Sequence, residues 1–564
     1  MYVPELAPVA GNLMWSALFG TLPLLTVFIT LGALRWKAHY AGLAGLAVAL
    51  AVAVLCYDMP VDLAALSATQ GLAFGLFPIM WIVISAIWLY ELTVTSGRFE
   101  DLRLVIDRIS DDPRIQAIII AFCFGGLLEA LAGFGAPVAI TGVMLMAVGF
   151  TALRAAAVVL LANTAPVAFG AIALPILTAG KLTGIDYRDI GAQIGHQTPL
   201  LAVFVPAFLV FLADGKRGLR DVWPIAAVVG VAFGITQWFA STFVSVELTD
   251  ILASLVGLAV TVTVLRFWRP QGTAEATERL LTARRAEIAE GRVNVVGGGA
   301  DDGVVAVRER APEGSIGARR TFLALFPYLV VVAAFTVTKL IDPINKAMAG
   351  TDLRFGWPGL DGKVASASGK VSSSTVFTLS WLSSPGTVLL LCGVVVAVVY
   401  RISPARAAAV WWTNLVRMRW AILTVMLVLG LAYVMNQSGQ TITIGTWIAG
   451  AGAAFAFFSP VLGWLGTAVT GSDTSANALF ATLQQAAGQT TGISPTLLVA
   501  ANTSGGVVGK MISPQNLAIA ATAVGMVGRE AEIFRKVIWW SLGLLVALCL
   551  LVGLQSQLTW MVVA

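Results

Sequence analysis

The chain has 564 residues, 58% of them hydrophobic and 12% charged, with a formal net charge of +5. Soluble domains carry about a quarter charged residues, so this composition excludes an ordinary soluble protein. The basic residues cluster in short connectors such as ADGKRGLRD and VVYRISPAR, which marks them as membrane-orientation signals and argues against nucleic acid as a partner.

Apolar runs of roughly 18 to 25 residues recur along the chain, each long enough to cross about 30 Å of hydrocarbon as a helix. The leading MYVPELAPVAGN has no Lys or Arg, whereas Arg35 and Lys37 follow the first run. This predicts an uncleaved first span with the N-terminus outside. Spans are expected near 13 to 34, 41 to 57 and 70 to 94, followed by the amphipathic cytoplasmic piece GRFEDLRLVIDRISDDPR. Residues 114–150 are apolar but interrupted by Gly133, Gly135 and Pro137, which predicts a re-entrant hairpin of two half-helices that enters and leaves from inside.

Spans near 152 to 179, 197 to 213, 222 to 241 and 250 to 268 lead to a polar stretch over 269–320. It reads as a cytoplasmic linker with a charged helix over AEATERLLTARRAEIAEGR and a break at GGGADDG. A span near 321 to 341 reaches a Gly- and Ser-rich outer loop containing DGKVASASGKVSSS, and spans near 385 to 400 and 418 to 436 follow. A second hairpin over 443–489 with the polar tip GSDTSAN, a broken helix over 494–527 and a final span near 538 to 560 complete the chain. The four cysteines (Cys56, Cys123, Cys392, Cys549) lie in or beside apolar runs without CxxC spacing, so no disulfide, metal or cofactor is expected.

Two segments match each other. Residues 162–175, ANTAPVAFGAIALP, and 501–514, ANTSGGVVGKMISP, both fit ANTx5Gx4P. Asn163 aligns with Asn502, Gly170 with Gly509 and Pro175 with Pro514, and each copy follows a hairpin-like segment whose tip glycine, Gly133 or Gly471, aligns within one residue of the same offset. An odd number of crossings separates the copies, which predicts antiparallel repeats. Paired interrupted helices in inverted repeats are the architecture of secondary transporters, because an unwound turn in hydrocarbon is tolerated only where it faces protein, water or a solute. The expected fold is an all-α polytopic membrane protein with about 12 transmembrane helices and two re-entrant hairpins. Its expected divisions are a first repeat (1–214, broken helix 152–179), a connecting segment (215–320) and an inverted second repeat (321–564).

GGLLEALAGFGAPVAITG in the first half, and TGSDTSANALFATLQQAA and AANTSGGVVGKMISPQN in the second, resemble the lactate permease family of bacterial inner-membrane carriers. The resemblance implies proton-coupled symport of L-lactate and related 2-hydroxymonocarboxylates such as glycolate, with no catalysis. More loosely, the arrangement resembles the wider ion-transporter superfamily.

Chemistry and motif position nominate the site residues. Lys510, a cation deep in an apolar segment, needs an anion or a wet cavity, met by a substrate carboxylate or by a standing ion pair with Asp473. Glu129 and Asp473 are the acids deepest in the hairpins and the candidates for proton coupling; Asp473 also fits an ordinary N-cap. Asn163, Thr164, Asn502, Thr503, Ser504, Ser472, Thr474 and Ser475 can donate to a carboxylate or hydroxyl, or can satisfy unwound backbone, and about half are expected to touch solute. Gly133 and Gly135 bring backbone to the site. His196 sits at an outward span end and suits a surface or gating place. GGVVGK falls short of a phosphate loop, with Ser504 where Gly is required and Met511 in place of Ser or Thr. Sodium coupling, an anion channel or a membrane-embedded enzyme are the competing readings.

Overall fold

A computed structural model describes residues 1–131, 133, 135–289, 317–365, 372–558 and 561–563. Among these, ten helices are long and apolar enough to cross a membrane, or eleven if the bent pair Ala152–Ala162 and Val167–Thr183 forms one span. The set differs from the twelve expected in four ways. Two of the ten, Pro113–Leu131 and Gln440–Thr470, include first arms of the expected hairpins, and the broken segment over 494–527 is not among the ten because its helix Pro495–Gly509 has 15 residues. Tyr187–Val244 is one helical run that holds two expected spans, turned back at Gly215 (φ 70°, ψ −158°). Pro385–Val399, at 15 residues, is short for a span.

Polar ties between connectors define two rims. On one, Arg320 pairs with Asp101 at 2.6 Å, Arg417 with Glu91 at 2.7 Å, and the fully buried Arg114 with Asp112 at 2.7 Å and Asp221 at 3.0 Å. On the other, the Tyr2 hydroxyl donates to the carbonyls of Tyr57 and Ser438, and Lys339 pairs with Glu247 at 3.0 Å. Every member of the first set was expected inside by the basic-connector rule and every member of the second outside.

The linker helix is present over Thr273–Ala289, whereas GGGADDG lies outside the described residues. Arg279 of this helix pairs with Asp214 at 2.6 Å, and its Glu287 accepts the backbone N–H of Ala152 at 2.9 Å. The outer loop is less irregular than its Gly and Ser content implies: Leu353–Gly356 and Val376–Leu379 pair antiparallel, and Tyr2 bridges to Val364.

The first hairpin runs as Pro113–Leu131, wholly buried, then returns as Ala136–Val148 and packs against its own first arm. The second has arms Phe455–Thr470 and Asp473–Thr491, turned at Gly471, whose φ of +76° favours glycine. Packing between the two halves is reciprocal. Gly170–Thr183 lies on Asp473–Thr491, and Pro514–Ala523 lies on Ala136–Val148.

Candidate functional site

Both ANT segments contain a break, but of different kinds. In the first, the helix Ala152–Ala162 ends, turns and a short 3-10 turn follow to Phe169, and the chain resumes at a bend of 63°. Ala171, Ile172 and Ala173 then sit at φ of 45°, 57° and 57°. Three consecutive L residues in the left-handed region, one of them β-branched, hold backbone strain at this point.

In the second, residues 501–509 do not unwind. Asn502, Thr503, Ser504, Gly505 and Gly506 belong to the regular helix Pro495–Gly509, and the break is confined to the 3-10 turn Lys510–Ile512 and extended Ser513. The glycines there serve close approach: a Cβ at Gly505 would collide with the Pro460 carbonyl, and one at Gly509 with that of Trp464. This is a small-xxx-small contact between two apolar helices.

The freed backbone is satisfied by side-chain amides, as burial in hydrocarbon requires. Asn516 donates to the Lys510 carbonyl at 3.1 Å and to that of Gly471 at 3.4 Å. Asn477 donates across the repeats to the Pro175 carbonyl at 3.1 Å. Gln237 donates to the Ala165 carbonyl at 3.0 Å.

A cavity of about 1200 Å³ lies between the breaks and the hairpin tips. Its deep wall carries Glu129, Gly133, Asp473 and Lys510, and its mouth carries Arg35 and Lys37. Lys510 Nζ donates to Glu129 Oε1 at 2.6 Å, with side chains only 9% and 3% exposed. The other Glu129 oxygen accepts from Asn163 Nδ2 at 2.9 Å. The expected partner of a standing Lys510 ion pair, Asp473, does not form it. Asp473 Oδ1 instead has Thr467 Oγ1 at 3.5 Å, and its Oδ2 has no hydrogen-bond partner among the described residues.

Ser472, Thr474 and Ser475 line the cavity at the N-terminus of Asp473–Thr491, with Ser472 as its cap. A second N-terminus, capped by Ser513, presents Pro514, Gln515 and Asn516 to the same space. Two helix N-termini and one ammonium therefore converge where an anion could be held.

The remaining polar candidates lie elsewhere. Asn502 donates to Asn477 Oδ1 at 2.9 Å, Thr503 exchanges hydrogen bonds with the same side chain, and Ser504 donates to Gln197 at 2.6 Å, all fully buried off the cavity wall. Thr164 Oγ1 turns back to the Leu161 carbonyl. Asn502, Thr503 and Ser504 join helices and Thr164 bonds its own turn, so the share of the eight on the cavity wall is three. Gly135 is capped by Ile519. His196 accepts from Trp238 Nε1 at 3.3 Å, away from the cavity. Asn477, Gln515 and Asn516 were not distinguished by sequence pattern; the signal available was an amide side chain inside an apolar run. Among the described residues no group of His, Cys, Asp or Glu could hold a metal.

The family described as L-lactate permease matches residues 16–559. The glycolate permease GlcA of Escherichia coli (strain K12) is 40% identical over 555 residues, covering 96% of this chain and 95% of that one. The L-lactate permeases of Bacillus subtilis (strain 168) and Escherichia coli (strain K12) are each 40% identical, with 98% of both chains covered. Likeness to the solved Alcanivorax borkumensis YdaH transporter is loose, at TM-score 0.49 and 15% identity, with 94% of this chain and 100% of that chain covered. With its match across nearly the whole length and its apolar helices, the chain belongs to the L-lactate permease family and is a multi-pass protein of the inner membrane.

Proposed function

We propose that the protein carries L-lactate and related 2-hydroxymonocarboxylates such as glycolate in symport with a proton. The observation that carries this reading is the Lys510–Glu129 pair on the cavity wall. One ammonium cannot neutralise two carboxylates in a site of low dielectric. An incoming substrate carboxylate therefore competes with Glu129 for Lys510, and a proton on Glu129 releases the ammonium. Anion and proton then bind with mutual positive coupling, which is the thermodynamic requirement of symport. Charge at the site stays constant through the exchange. An anion driven inward against about 100 mV costs about 2.3 kcal/mol per charge, and the proton cancels that term.

Around the carboxylate, the N-terminus at Ser472–Ser475 supplies backbone N–H and hydroxyl donors, leaving Asp473 or Gln515 to meet the 2-hydroxyl. Asn163 holds Glu129 in place whether or not it is protonated. The reciprocal packing of each broken helix on the other half's hairpin supports an inverted repeat with divisions at 1–214 and 321–564. The cavity mouth at Arg35 and Lys37 lies on the side that the basic-connector rule assigns to the cytoplasm, which fits an inward-open state.

The test is lactate uptake by the purified protein in proteoliposomes under an imposed pH gradient without sodium. Accumulation is expected. Uptake that requires sodium would replace the proton by that cation, single-channel currents in a planar bilayer would replace the carrier by a channel, and conversion of lactate to another compound would make it an enzyme.

A further inference from the structure

Outside the cavity wall, two helices, Val205–Phe239 and Thr249–Phe267, bring polar groups to the first break. Asp250, in the first turn of Thr249–Phe267, is fully buried. Its Oδ1 accepts from Gln237 Nε2 at 2.9 Å, and the same amide donates to the Ala165 carbonyl at 3.0 Å. Oδ2 of Asp250, Oε1 of Gln237 and Oγ of Ser254, one turn along from Asp250, have no hydrogen-bond partner among the described residues. A Cβ on Gly126 would lie 2.6 Å from Ser254 Oγ and 3.8 Å from Pro166. Gly126, on the hairpin arm that carries Glu129, therefore lies against both Ser254 and Pro166 of the break.

A carboxylate buried with one oxygen that no described side chain or backbone donor reaches is costly to hold charged. A proton on Asp250 removes the charge and adds a donor beside acceptors that lack one. The charged and titratable groups around it are few. Glu129 lies one turn along the hairpin arm from Gly126, which faces Ser254 of the Asp250 helix. Cys123, further down the same arm, faces Gly257. Glu247, on the short turn before Asp250, is already held by Lys339, Tyr187 and Ser245. The preceding helix contributes the neutral Gln237, and the turn Ala240–Val244 has no charged residue.

We propose that Asp250 is a second proton-binding residue, which takes up the symported proton and passes it to Glu129 across the first helix break. The step moves one proton and no electrons. The Asp250 O–H bond breaks, a Glu129 O–H bond forms, and the negative charge passes to Asp250. A proton from the aqueous phase at the rim of Glu247 and Lys339 then restores it. Glu129 lines the cavity and Asp250 does not, so the transfer carries the proton from a residue closed to the cavity to one open to it. The inference rests on the proton-symport reading above.

The experiment uses the full chain in proteoliposomes, comparing wild type, Asp250→Asn and Asp250→Glu. With a gradient of one pH unit, coupling of one proton per anion allows about tenfold accumulation. Asp250→Asn is expected to fall to no accumulation while lactate exchange falls far less, and Asp250→Glu to recover part of the accumulation. Accumulation by Asp250→Asn equal to wild type would overturn the proposal. If the wild type itself does not accumulate, the symport reading fails, and infrared spectroscopy in an Asp473→Asn background decides whether Asp250 binds a proton. An aspartate-labelled protonated-carboxyl band, titrating with pH and lost on adding Asp250→Asn, supports the site. No such band overturns it, also where Asp250→Asn does not fold.

Discussion

Lys510 Nζ lies 2.6 Å from Glu129 Oε1, which joins the break of one ANT segment to the hairpin arm beside the other across 381 positions of sequence. The pair is buried, yet it lies on the wall of a cavity large enough for a small acid and its water. Placed there, it is both a structural tie and a contact that a substrate carboxylate can displace.

Removing the cation alone should uncouple both roles. Lys510→Met is expected to weaken lactate binding by about 2–5 kcal/mol, the range for truncating one partner of a buried hydrogen-bonded charge pair. Isothermal titration of the purified variant measures this. The double variant Lys510→Met, Glu129→Gln should regain thermal stability relative to Lys510→Met, because it no longer leaves a lone buried carboxylate.

Asp473 should behave differently from Glu129. With one oxygen unpaired and no ammonium in contact, it can serve substrate as a donor only when protonated, and an amide preserves a donor at that position. Asp473→Asn is expected to retain accumulation driven by a pH gradient, whereas Asp473→Ala should bind lactate about tenfold more weakly, the equivalent of one lost hydrogen bond. Uptake and titration on the two variants separate these outcomes.

The contact between Phe455–Thr470 and Pro495–Gly509 leaves no room for a side chain at Gly505 or Gly509. Gly505→Ala meets the Pro460 carbonyl, a backbone atom that cannot rotate away, and should destabilise the protein by about 1–3 kcal/mol. Gly543→Ala, with nothing within 4 Å of the new atom, is the matched control. Thermal unfolding in detergent compares them.

Asn477 serves two elements at once, donating to the Pro175 carbonyl at 3.1 Å and accepting from Asn502 at 2.9 Å. Asn477→Leu leaves both groups without this partner in a buried interior, at about 1–3 kcal/mol for each. Lower melting temperature together with slower lactate exchange is expected, because Pro175 belongs to the broken helix that lines the cavity.

The helix interruption around Gly133 and Gly135, the turn at Gly471 and the presence of a break in each ANT segment were legible because Gly and Pro have strong local consequences in an apolar chain. The location of the second break was not. Glycine answers two needs, unwinding and close approach, and only the helix facing Gly505 and Gly509 reveals the second. The partner of Lys510 was hidden for a related reason: Asp473 is nearer in sequence, but the reciprocal packing of the halves carries Glu129 to the ammonium. Asp250 stands at the edge of an expected span, where an acid reads as an interfacial residue, and its burial depends on Gln237 and the break at Ala165.

Proton linkage to substrate binding tests the central claim most directly. Lactate titrated calorimetrically into the purified protein, in buffers of different ionisation enthalpy, reports the protons taken up per anion bound. The account predicts about one proton for the wild type and none for Glu129→Gln, by the linkage that makes anion and proton mutual ligands. Lactate binding by the wild type with no proton uptake, at a pH where Glu129 is paired with Lys510, would contradict it.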